Sequence, residues 1–359
     1  MHPDKPATPG INPFHAMTCP LPITDYDTVL LGHGSGGRLS GRLLHDVFLP
    51  AFDNPLLASL DDQAVLDVEG TRLAFTTDAF VVDPLFFPGG NIGHLAVNGT
   101  INDLCVSGAH PLYISAAFIL EEGFHLDDLR QIVLSMRQAA DAAGVHVVTG
   151  DTKVVNKGCA DKLFITTSGV GMLPGERHIR ASNAQPGDQI LLSGTLGDHG
   201  MAIMSCRENL EFETSLESDT AALNGLVEAM LEAHPSIHCM RDPTRGGLAS
   251  TLNEIATHSN VGMVIDENRL PIHPEVKGAC EILGLDPLYV ANEGKLVAFV
   301  APEAVAPVLD AMCAHPLGQN AQHIGEVVGE QPGMVRMRTA VGGTRIVDLL
   351  MGEQLPRIC

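Results

Sequence analysis

Apolar and polar residues alternate along several stretches of the first half of the sequence, which is the pattern of half-buried β-strands. These stretches are 64–68, 72–82, 112–120, 145–150 and 162–173. Two further stretches, near 91–106 and 126–143, repeat apolar residues at the spacing of an amphipathic helix. The pattern predicts an α/β or α+β fold with a large β component in the first half.

A second α/β unit is predicted after ASNAQPGD at 181–188, because Asn, Pro and Gly between two strand-like runs are typical of a boundary. We therefore expect an N-terminal domain over 27–182 and a C-terminal α/β domain over 183–348. Residues 1–26 are predicted to be a flexible extension, and 349–359 a C-terminal tail.

Within the second unit, QILLSG at 189–194 predicts a strand, and LYVANEGKLVAFV at 288–300 predicts two short strands hinged at 292–294. TAVGGTRIVDLL at 339–350 predicts a turn followed by a last apolar run. The sequence then ends in a cysteine, Cys359. Chain ends are usually frayed and exposed, so we expect a tail that is mobile unless something captures it.

Composition narrows the classes of function. The 359 residues include 43 Asp and Glu against 21 Lys and Arg, a net charge of -22, which argues against a broad basic surface for nucleic acid or anionic lipid. No run approaches the ~18 apolar residues of a membrane span, and the proline-rich start lacks the apolar core of a signal peptide. The eight cysteines form no CxxC pair, so neither a zinc site nor a disulfide framework is indicated. We expect a cytoplasmic protein.

The glycine cluster LLGHGSGGRLSGRLL follows a strand-like TVLL and has Gly32, Gly34 and Gly37 in the G-x-G-x-x-G spacing. Three interpretations are open. The cluster could form a Rossmann dinucleotide site with Asp53 as the ribose-binding acid, a flexible loop, or a backbone-amide cradle for phosphate to which Ser35 adds a hydroxyl. Because the sequence lacks G-x-x-x-x-G-K-[ST], any ATP site would not be a P-loop.

Carboxylates stand near the ends of predicted strands: Asp61 and Asp62 in SLDDQAV, Asp78 in TTDAFVVD and Asp151 in TGDTKVV. Magnesium prefers oxygen ligands and binds nucleotides by bridging carboxylates to phosphate oxygens. These four acids are therefore candidate ligands of Mg²⁺. The alternative is that Asp at strand ends is ordinary turn chemistry.

The first predicted helix carries a polar stripe, His94, Asn98 and Asn102, at i, i+4 and i+8, with Asp103 beside it. A stripe without Lys or Glu is a poor solvating face and a good set of short ligands. An ordinary solvated face is the alternative interpretation.

Three further stretches carry charge where chemistry could use it. Lys153 in GDTKVV could contact phosphate or the reacting group, or it could be an exposed loop lysine. RDPTRGGLASTLNEIA predicts a helix N-terminus capped by Asp242 or Thr244, with two arginines, and so a second anion site. NEGK places Glu293 and Lys295 at a bend, for which a surface β-turn is the alternative.

Taken together, these segments resemble the HypE family of hydrogenase maturation proteins, within the aminoimidazole ribonucleotide synthetase (PurM-like) superfamily. The resemblance runs from about residue 27 to 359 and lies in GHGSGG, DDQAV, TTDAFVVDPLFFPGGNIGHLAVNGTINDL, GDTKVV, SGTLGDHG, RDPTRGGL, NEGK and the terminal PRIC. The glycines and acids are shared across the superfamily, whereas the terminal PRIC separates this family from its relatives.

The resemblance implies a two-domain PurM-like α/β fold whose N-terminal domains pair into a homodimer, with ATP and Mg²⁺ held near the interface. It also implies roles for particular residues. Gly34, Ser35, Gly36 and Gly37 would cover the nucleotide with Asn98, Asn102, Asp103 and Thr152 alongside; Asp61, Asp62, Asp78 and Asp151 would hold Mg–ATP; Lys153 and Glu293 would manage proton transfer; and Cys359 would carry the substrate.

The implied reaction begins when the carbamoyltransferase HypF delivers a carbamoyl group that becomes a thiocarboxamide on Cys359. ATP would phosphorylate the amide oxygen while Mg²⁺ and Lys153 offset the charge. Loss of phosphate, with Glu293 taking nitrogen-bound protons, would leave a thiocyanate whose nitrile passes to the HypC–HypD complex as an iron cyanide ligand. We expect the α-carboxylate of Cys359 to oppose thiolate formation and Arg357 to offset this in part.

Two other functions remain open at this point. A kinase or synthetase that acts on a free small molecule, like thiamine-monophosphate kinase or selenophosphate synthetase, would have no use for a terminal cysteine. A non-enzymatic thiol carrier or iron chaperone would give no reason for the acids at strand ends.

Overall fold

The structure, a computed structural model, describes residues 27–52, 54–175, 177–208, 216–350, 355 and 357–359. The predicted N-terminal extension, Asp53 and part of the tail lie outside the described residues. The described strands build two main sheets, one on each side of the predicted boundary at 182 and 183. The placement of that boundary stays a prediction.

The first sheet has five strands in the order β1-β2-β7-β5-β6, and a two-stranded ribbon β3-β4 accompanies it. All pairs are antiparallel except β5 with β6. The strands predicted in this half are confirmed. Their bounds are β1 Ala64–Val68, β2 Thr71–Phe80, β3 Phe86–Phe87, β4 Gly90–Asn91, β5 His110–Glu121, β6 His146–Val155 and β7 Leu163–Met172.

Helices cover one face of this sheet, and both predicted helices are confirmed. The helices of this half are α1 Arg38–Leu43, α2 Leu49–Phe52, α3 Ile92–Cys105 and α4 Leu126–Ala143. Helix α3 lies between the sheet and α4, which explains why Leu95 and Ile101 have no exposed surface. The other face of the sheet is exposed, with Phe75 and Tyr113 at 42% and 50% exposure.

The glycine cluster does not follow a strand, so the Rossmann interpretation is wrong. Residues 29 and 30 have no regular structure, and Leu31–Gly34 form a 3₁₀ turn. A Rossmann site also needs a parallel βαβ unit, whereas the strand after the cluster, β1, pairs antiparallel with β2.

The second sheet has seven strands in the order β14-β13-β10-β12-β8-β11-β9. Its strands are β8 Gln189–Leu192, β9 Ile237–Arg241, β10 Gly262–Asp266, β11 Val297–Val300, β12 Gln322–Val328, β13 Val335–Arg338 and β14 Thr344–Val347, and its helices are α5 Asp198–Glu208, α6 Asn224–Ala233, α7 Gly247–His258, α8 Pro274–Leu283 and α9 Val305–Ala314. Leu192, Leu252 and Phe299 are fully buried between this sheet and α7. No helix in the described part of the chain combines the length and the hydrophobicity of a membrane span.

Only one of the two strands predicted over 288–300 exists. Pro287–Tyr289 form a 3₁₀ turn because the Asp286 carboxylate accepts a hydrogen bond from the Leu288 N–H at 3.0 Å and proline suits the first position of such a turn. The predicted turn and last apolar run near 339–350 are confirmed by β14 and the turn before it.

Two asparagines of α3 fix the segment that leads into α6. Asn98 Nδ2 donates to Thr220 Oγ1 at 3.2 Å. Asn102 is 1% exposed, donates to the carbonyls of Ala221 and Glu293, and accepts the N–H of Leu223 at 2.8 Å. Asn98 and Asn102 therefore face protein groups and not solvent, and they link α3 to residues 220–223 and 293 of the second unit.

We predict that Asn102→Ala lowers the free energy of unfolding by roughly 2–4 kcal/mol, because it leaves a buried N–H and two carbonyls without their partner. Urea denaturation measures the change. The control is Asn224→Ala, which removes one partly buried hydrogen bond to Ala143 and should cost about 1 kcal/mol. A loss no larger than that of the control would contradict this role for Asn102.

Candidate active site

The last described residues of the tail are docked inside the molecule. The Val81 N–H donates to the Cys359 carbonyl at 2.9 Å, and the Asp83 N–H donates to the Arg357 carbonyl at 3.3 Å. Ile358 is 4% exposed and packs in the core of the first sheet. The chain end that was expected to be mobile is thus captured beside the end of β2.

Docking places the thiol of Cys359, a partly buried residue, in a charged environment. The charged groups that act on the thiol are the carboxyl group of Glu293, the guanidinium of Arg245 and the carboxyl group of Asp78. Burial raises the pKa of the Cys359 thiol, Glu293 and Asp78 raise it further, and Arg245 opposes them. The docked sulfur is therefore a thiol and not a thiolate.

The arginine beside the sulfur is not the one expected from the sequence. The guanidinium of Arg357 pairs with Asp161 and lies 3.6 Å from Asp83, so it faces the first sheet. Arg245, in the loop before α7, is the cation that faces Cys359.

Glu293 lies in the interior and not at a surface turn, so the surface interpretation of NEGK is wrong. The side chain is 3% exposed, and its Oε1 has no hydrogen-bond partner among the described residues. Burial, together with the charges of Asp219 and Asp242, raises the pKa of Glu293 well above the usual range. Its N–H donates to Asp219 at 3.0 Å, and Lys295 pairs with the same carboxylate at 3.0 Å. A buried carboxyl group with a raised pKa thus lies near the terminal sulfur.

Three carboxylates from separate elements converge beside this group. Asp62, Asp103 and Asp242 each offer an oxygen, and these oxygens lie within 4.8 Å of one another. Burial and mutual repulsion raise the pKa of Asp103 and raise the pKa of Asp242 to about 8. Asp78 is a charged neighbour that raises the pKa of Asp103 further. A buried excess of carboxylates with raised pKa values is a donor set that fits a hard divalent cation such as Mg²⁺.

The neighbouring acid, Asp61, binds the main chain at Ala181 in this structure. Its carboxylate accepts the Ala181 N–H at 2.9 Å. Arg241 contacts Asp62 at 2.7 Å and Glu254 at 2.8 Å, so one of the two arginines of RDPTRGGL already compensates the acid cluster. The role of Asp61 as a metal ligand stays a prediction.

The glycine cluster lies against the Arg245 loop. A Cβ on Gly36, whose φ is +75°, would lie 2.7 Å from the Arg245 carbonyl oxygen, and a Cβ on Gly37 would lie 2.6 Å from that of Leu350. Ser35 Oγ donates to the Gly32 carbonyl at 2.8 Å, which closes the turn. The cluster borders a cavity of 310 Å³ whose lining includes Gly34, Ser35, Arg245, Gly246, Ile358 and Cys359.

Asp151, Thr152 and Lys153 lie elsewhere within one chain. They belong to β6, which is three strands away from β2 in the sheet, about 14 Å at the usual strand spacing. The register pairs Asp151 through the sheet with Ala79, so its side chain lies on the exposed face, opposite to Asp78. Lys153 Nζ contacts the Asp151 carboxylate at 2.8 Å. One chain alone does not bring this pair to the acid cluster.

Sequence reasoning missed two acids of the site. The sequence predicts Asp242 or Thr244 as a helix cap, but α7 begins at Gly247 with Gly246 as its N-cap. The signal was available, because Asp242 directly follows β9, just as the predicted acids stand near ends of strands. Asp219 lies in an irregular segment and had no local signal.

Comparison with known proteins supplies the family. The family AIR synthase related protein, N-terminal domain, matches residues 60–173, and AIR synthase related protein, C-terminal domain, matches residues 185–337. Carbamoyl dehydratase HypE of Bradyrhizobium diazoefficiens is 58% identical over 330 residues, which cover 92% of this chain and 95% of that relative. The chain belongs to the HypE family.

Solved HypE structures share the fold of this HypE-family chain. HypE in complex with ATP is 50% identical, covers 92% of this chain and 100% of its own, and has a TM-score of 0.78. A chain of a HypE–HypF complex is 49% identical, with coverage of 86% and 99% and a TM-score of 0.82. The two-part α/β architecture and the PurM-like superfamily predicted from the sequence are confirmed.

We predict that Mg²⁺ raises the melting temperature of the HypE-family chain and that Asp242→Asn removes most of this increase, because the cation loses one ligand of the cluster. At ten times the dissociation constant the wild-type shift should be roughly 3 °C, measured by differential scanning fluorimetry. Asp310→Asn, an exposed acid on α9, should keep the full shift. An equal shift in wild type and Asp242→Asn would rule out this cluster as the metal site.

Proposed function

We propose that the chain is an ATP-dependent carbamoyl dehydratase of [NiFe]-hydrogenase maturation. It converts an S-carboxamide on Cys359 into a thiocyanate that supplies the cyanide ligands of the active-site iron. The observation that carries the proposal is the docked Cys359, which has Glu293 as a neighbour and lines the same cavity as Gly34 and Ser35. A kinase acting on a free substrate has no need of a chain end in its cavity.

The chemistry requires the removal of water from an amide. An amide oxygen is a poor leaving group, so it attacks the γ-phosphorus of ATP and ADP departs. The C–O bond then breaks, phosphate takes the oxygen, and the nitrogen gives up both protons as the C≡N bond forms. The products are thiocyanate, ADP and phosphate, with the two protons passing to a base and to solvent.

Glu293 is the base best placed for this proton transfer. It is a neighbour of the sulfur that bears the carboxamide, and its side chain is buried. A carboxyl group whose pKa is raised by burial is, once ionised, a stronger base than an ordinary carboxylate. Arg245 faces the same point and stabilises the ionised form.

Asp62, Asp103 and Asp242, with Asp78 next to them, are the residues that would hold Mg²⁺. A bound Mg²⁺ would neutralise charge on the transferring phosphoryl group. Gly34 and Ser35 border the cavity that Cys359 and Arg245 also line, and they would cover the nucleotide. Asn98 and Asn102 reach the same region from α3 but are engaged with the segment at 220–223.

A homodimer would bring the remaining predicted residues to the site. The exposed face of the first sheet carries Phe75, Tyr113 and Ile119 at 41–50% exposure, an apolar surface suited to a second copy. Asp151 and Lys153 stand on this same face. Pairing of two such faces supports a site in which Lys153 of one copy serves Cys359 of the other.

The expected partners follow from the two ends of the reaction. The carbamoyl donor is HypF, as the solved HypE–HypF complex of relatives supports. The acceptor is the HypC–HypD complex, which receives the nitrile. Each transfer requires the tail to leave its docked position. We place the reaction in the cytoplasm.

We predict that HypF-dependent carbamoyl loading followed by ATP removes one water from the C-terminal peptide of the wild type, detected by intact and peptide mass spectrometry. Glu293→Gln, of nearly equal size, should be loaded normally but dehydrate at least 100-fold more slowly, because it lacks the base. Cys359→Ser is the control that cannot form the S-carboxamide. Loading without an ATP-dependent mass loss in the wild type would refute the dehydratase proposal.

We predict that Lys153 acts across the dimer. A heterodimer of Lys153→Ala with Cys359→Ala chains retains one complete site and should show about half the wild-type rate of dehydration. The matched control pairs Glu293→Ala with Cys359→Ala, since both residues belong to one chain's site, and it should be inactive. An inactive first heterodimer would show that Lys153 serves its own chain.

A further inference from the structure

The segment SGTLGDHG carries a feature that the reaction above does not use. Helix α5 begins inside it, and His199, Ile203 and Arg207 follow at i, i+4 and i+8 on one face of the helix. His199 and Ile203 have no exposed surface, and Ile203 shares a core cluster with Ile358 of the tail. This face of α5 is therefore turned toward the docked tail.

His199 donates a hydrogen bond to the tail main chain. Its Nε2 lies 2.8 Å from the Ile358 carbonyl oxygen, and because a carbonyl only accepts, Nε2 carries the proton. Nδ1 then accepts from the Ser218 hydroxyl at 2.8 Å, whose oxygen in turn accepts the Thr220 N–H at 3.1 Å. The ring packs edge-on against Phe87 with centroids 5.6 Å apart. The imidazole is thus held in one orientation and one tautomer.

Arg207 holds the tail eight residues further along the same face. Its guanidinium donates to the Arg357 carbonyl of the tail and to the Asp83 carbonyl of the segment after β2. One side chain therefore joins the tail to the strand end against which it lies. Both contacts, like that of His199, are made to main-chain carbonyls, so they do not depend on what the sulfur of Cys359 carries.

Two other features show that the docked position of the tail depends on specific structural requirements. Arg357 has φ +55°, a left-handed conformation that a non-glycine residue adopts at a cost of about 1 kcal/mol. At Gly200, a Cβ would lie 2.4 Å from Val290 Cγ1 and 3.3 Å from Leu355 Cδ1. Only glycine therefore lets α5 approach Val290 and Leu355 this closely. The docked position opposes the intrinsic backbone preference of Arg357, so it needs contacts that stabilise it.

We propose that His199 and Arg207 are positioning residues that seat the C-terminal tail and thereby place Cys359 against Glu293. The catalytic consequence rests on the proposed dehydratase function. The seating itself does not, because the hydrogen bonds from His199 and Arg207 to the tail can be tested without ATP or a partner. The seating of the tail and its catalytic consequence can therefore be refuted by separate experiments.

The seating is tested by the rate at which iodoacetamide alkylates Cys359 in the full-length, ATP-free protein, followed by peptide mass spectrometry. His199→Leu should raise this rate about tenfold, because an undocked thiol ionises more readily and is exposed. His199→Gln, whose amide can donate from nearly the position of Nε2, should stay within about threefold of the wild type. Arg207→Met, which keeps the apolar stem, should behave like His199→Leu.

Other cysteines serve as controls in the same digests. Cys159 is exposed and should react equally in all variants, while Cys239 is fully buried and should stay protected unless the fold opens. Exposure of Cys359 together with Cys239 would show a general structural role and overturn the proposal. An unchanged Cys359 rate in His199→Leu and Arg207→Met would also overturn it.

The positioning role is tested in the loaded enzyme. His199→Leu should lower kcat for dehydration about tenfold with the KM for ATP unchanged, and His199→Gln should restore it. A normal kcat in a variant whose Cys359 is freely alkylated would refute positioning while leaving the seating intact. Absence of dehydration in the wild type would refute the proposed function and leave the alkylation result unaffected.

Discussion

Buried main-chain carbonyls need donors, and this requirement decides where the tail of the molecule can lie. Each of the last three carbonyls has one: Arg357 receives the Asp83 N–H, Ile358 receives His199, and Cys359 receives the Val81 N–H. These donors come from two structural units, the end of β2 and helix α5. Together these donors fix the observed path of the last three residues, which places Cys359 near Glu293.

The same junction gathers more negative charge than a stable interior needs. Six carboxyl groups lie near one another with three basic side chains among them: Asp62, Asp78, Asp103, Asp219, Asp242 and Glu293, with Arg241, Arg245 and Lys295. Burial raises the pKa of several of these acids, which means that the fold opposes their ionisation. Such a cluster weakens the isolated chain. A bound cation, together with the basic side chains, would offset the repulsion among these carboxylates. The excess of acidic groups is therefore what a binding site for a metal ion and a polyphosphate requires.

The sequence predicted what local periodicity encodes. The strands of the first half and helices α3 and α4 follow directly from the spacing of apolar residues, and the acids near strand ends led to Asp62 and Asp78. It failed where tertiary contacts override local pattern. The run before Asn292 looks like a strand, yet Asp286 and Pro287 turn it into a 3₁₀ turn. The tail has no apolar period, and its order comes from donors contributed by α5 and the end of β2, which no local signal reveals.

The location of the tail also fits the change in chemistry that its cysteine undergoes. A free thiol must ionise, or be activated, to accept a carbamoyl group, and burial beside Glu293 opposes ionisation. Once the sulfur carries a carboxamide it has no proton to lose, and the cost of burying a thiolate disappears. The carboxamide is instead a neutral group with N–H donors, and the carboxyl group of Glu293 is an acceptor at the position where it arrives. The docked position thus disfavours carbamoyl transfer, which should occur with a partner, and favours dehydration, which must exclude water. Because His199 and Arg207 hold Ile358 and Arg357 by hydrogen bonds to main-chain carbonyls, the same position can receive the tail whether its sulfur is free, loaded or converted.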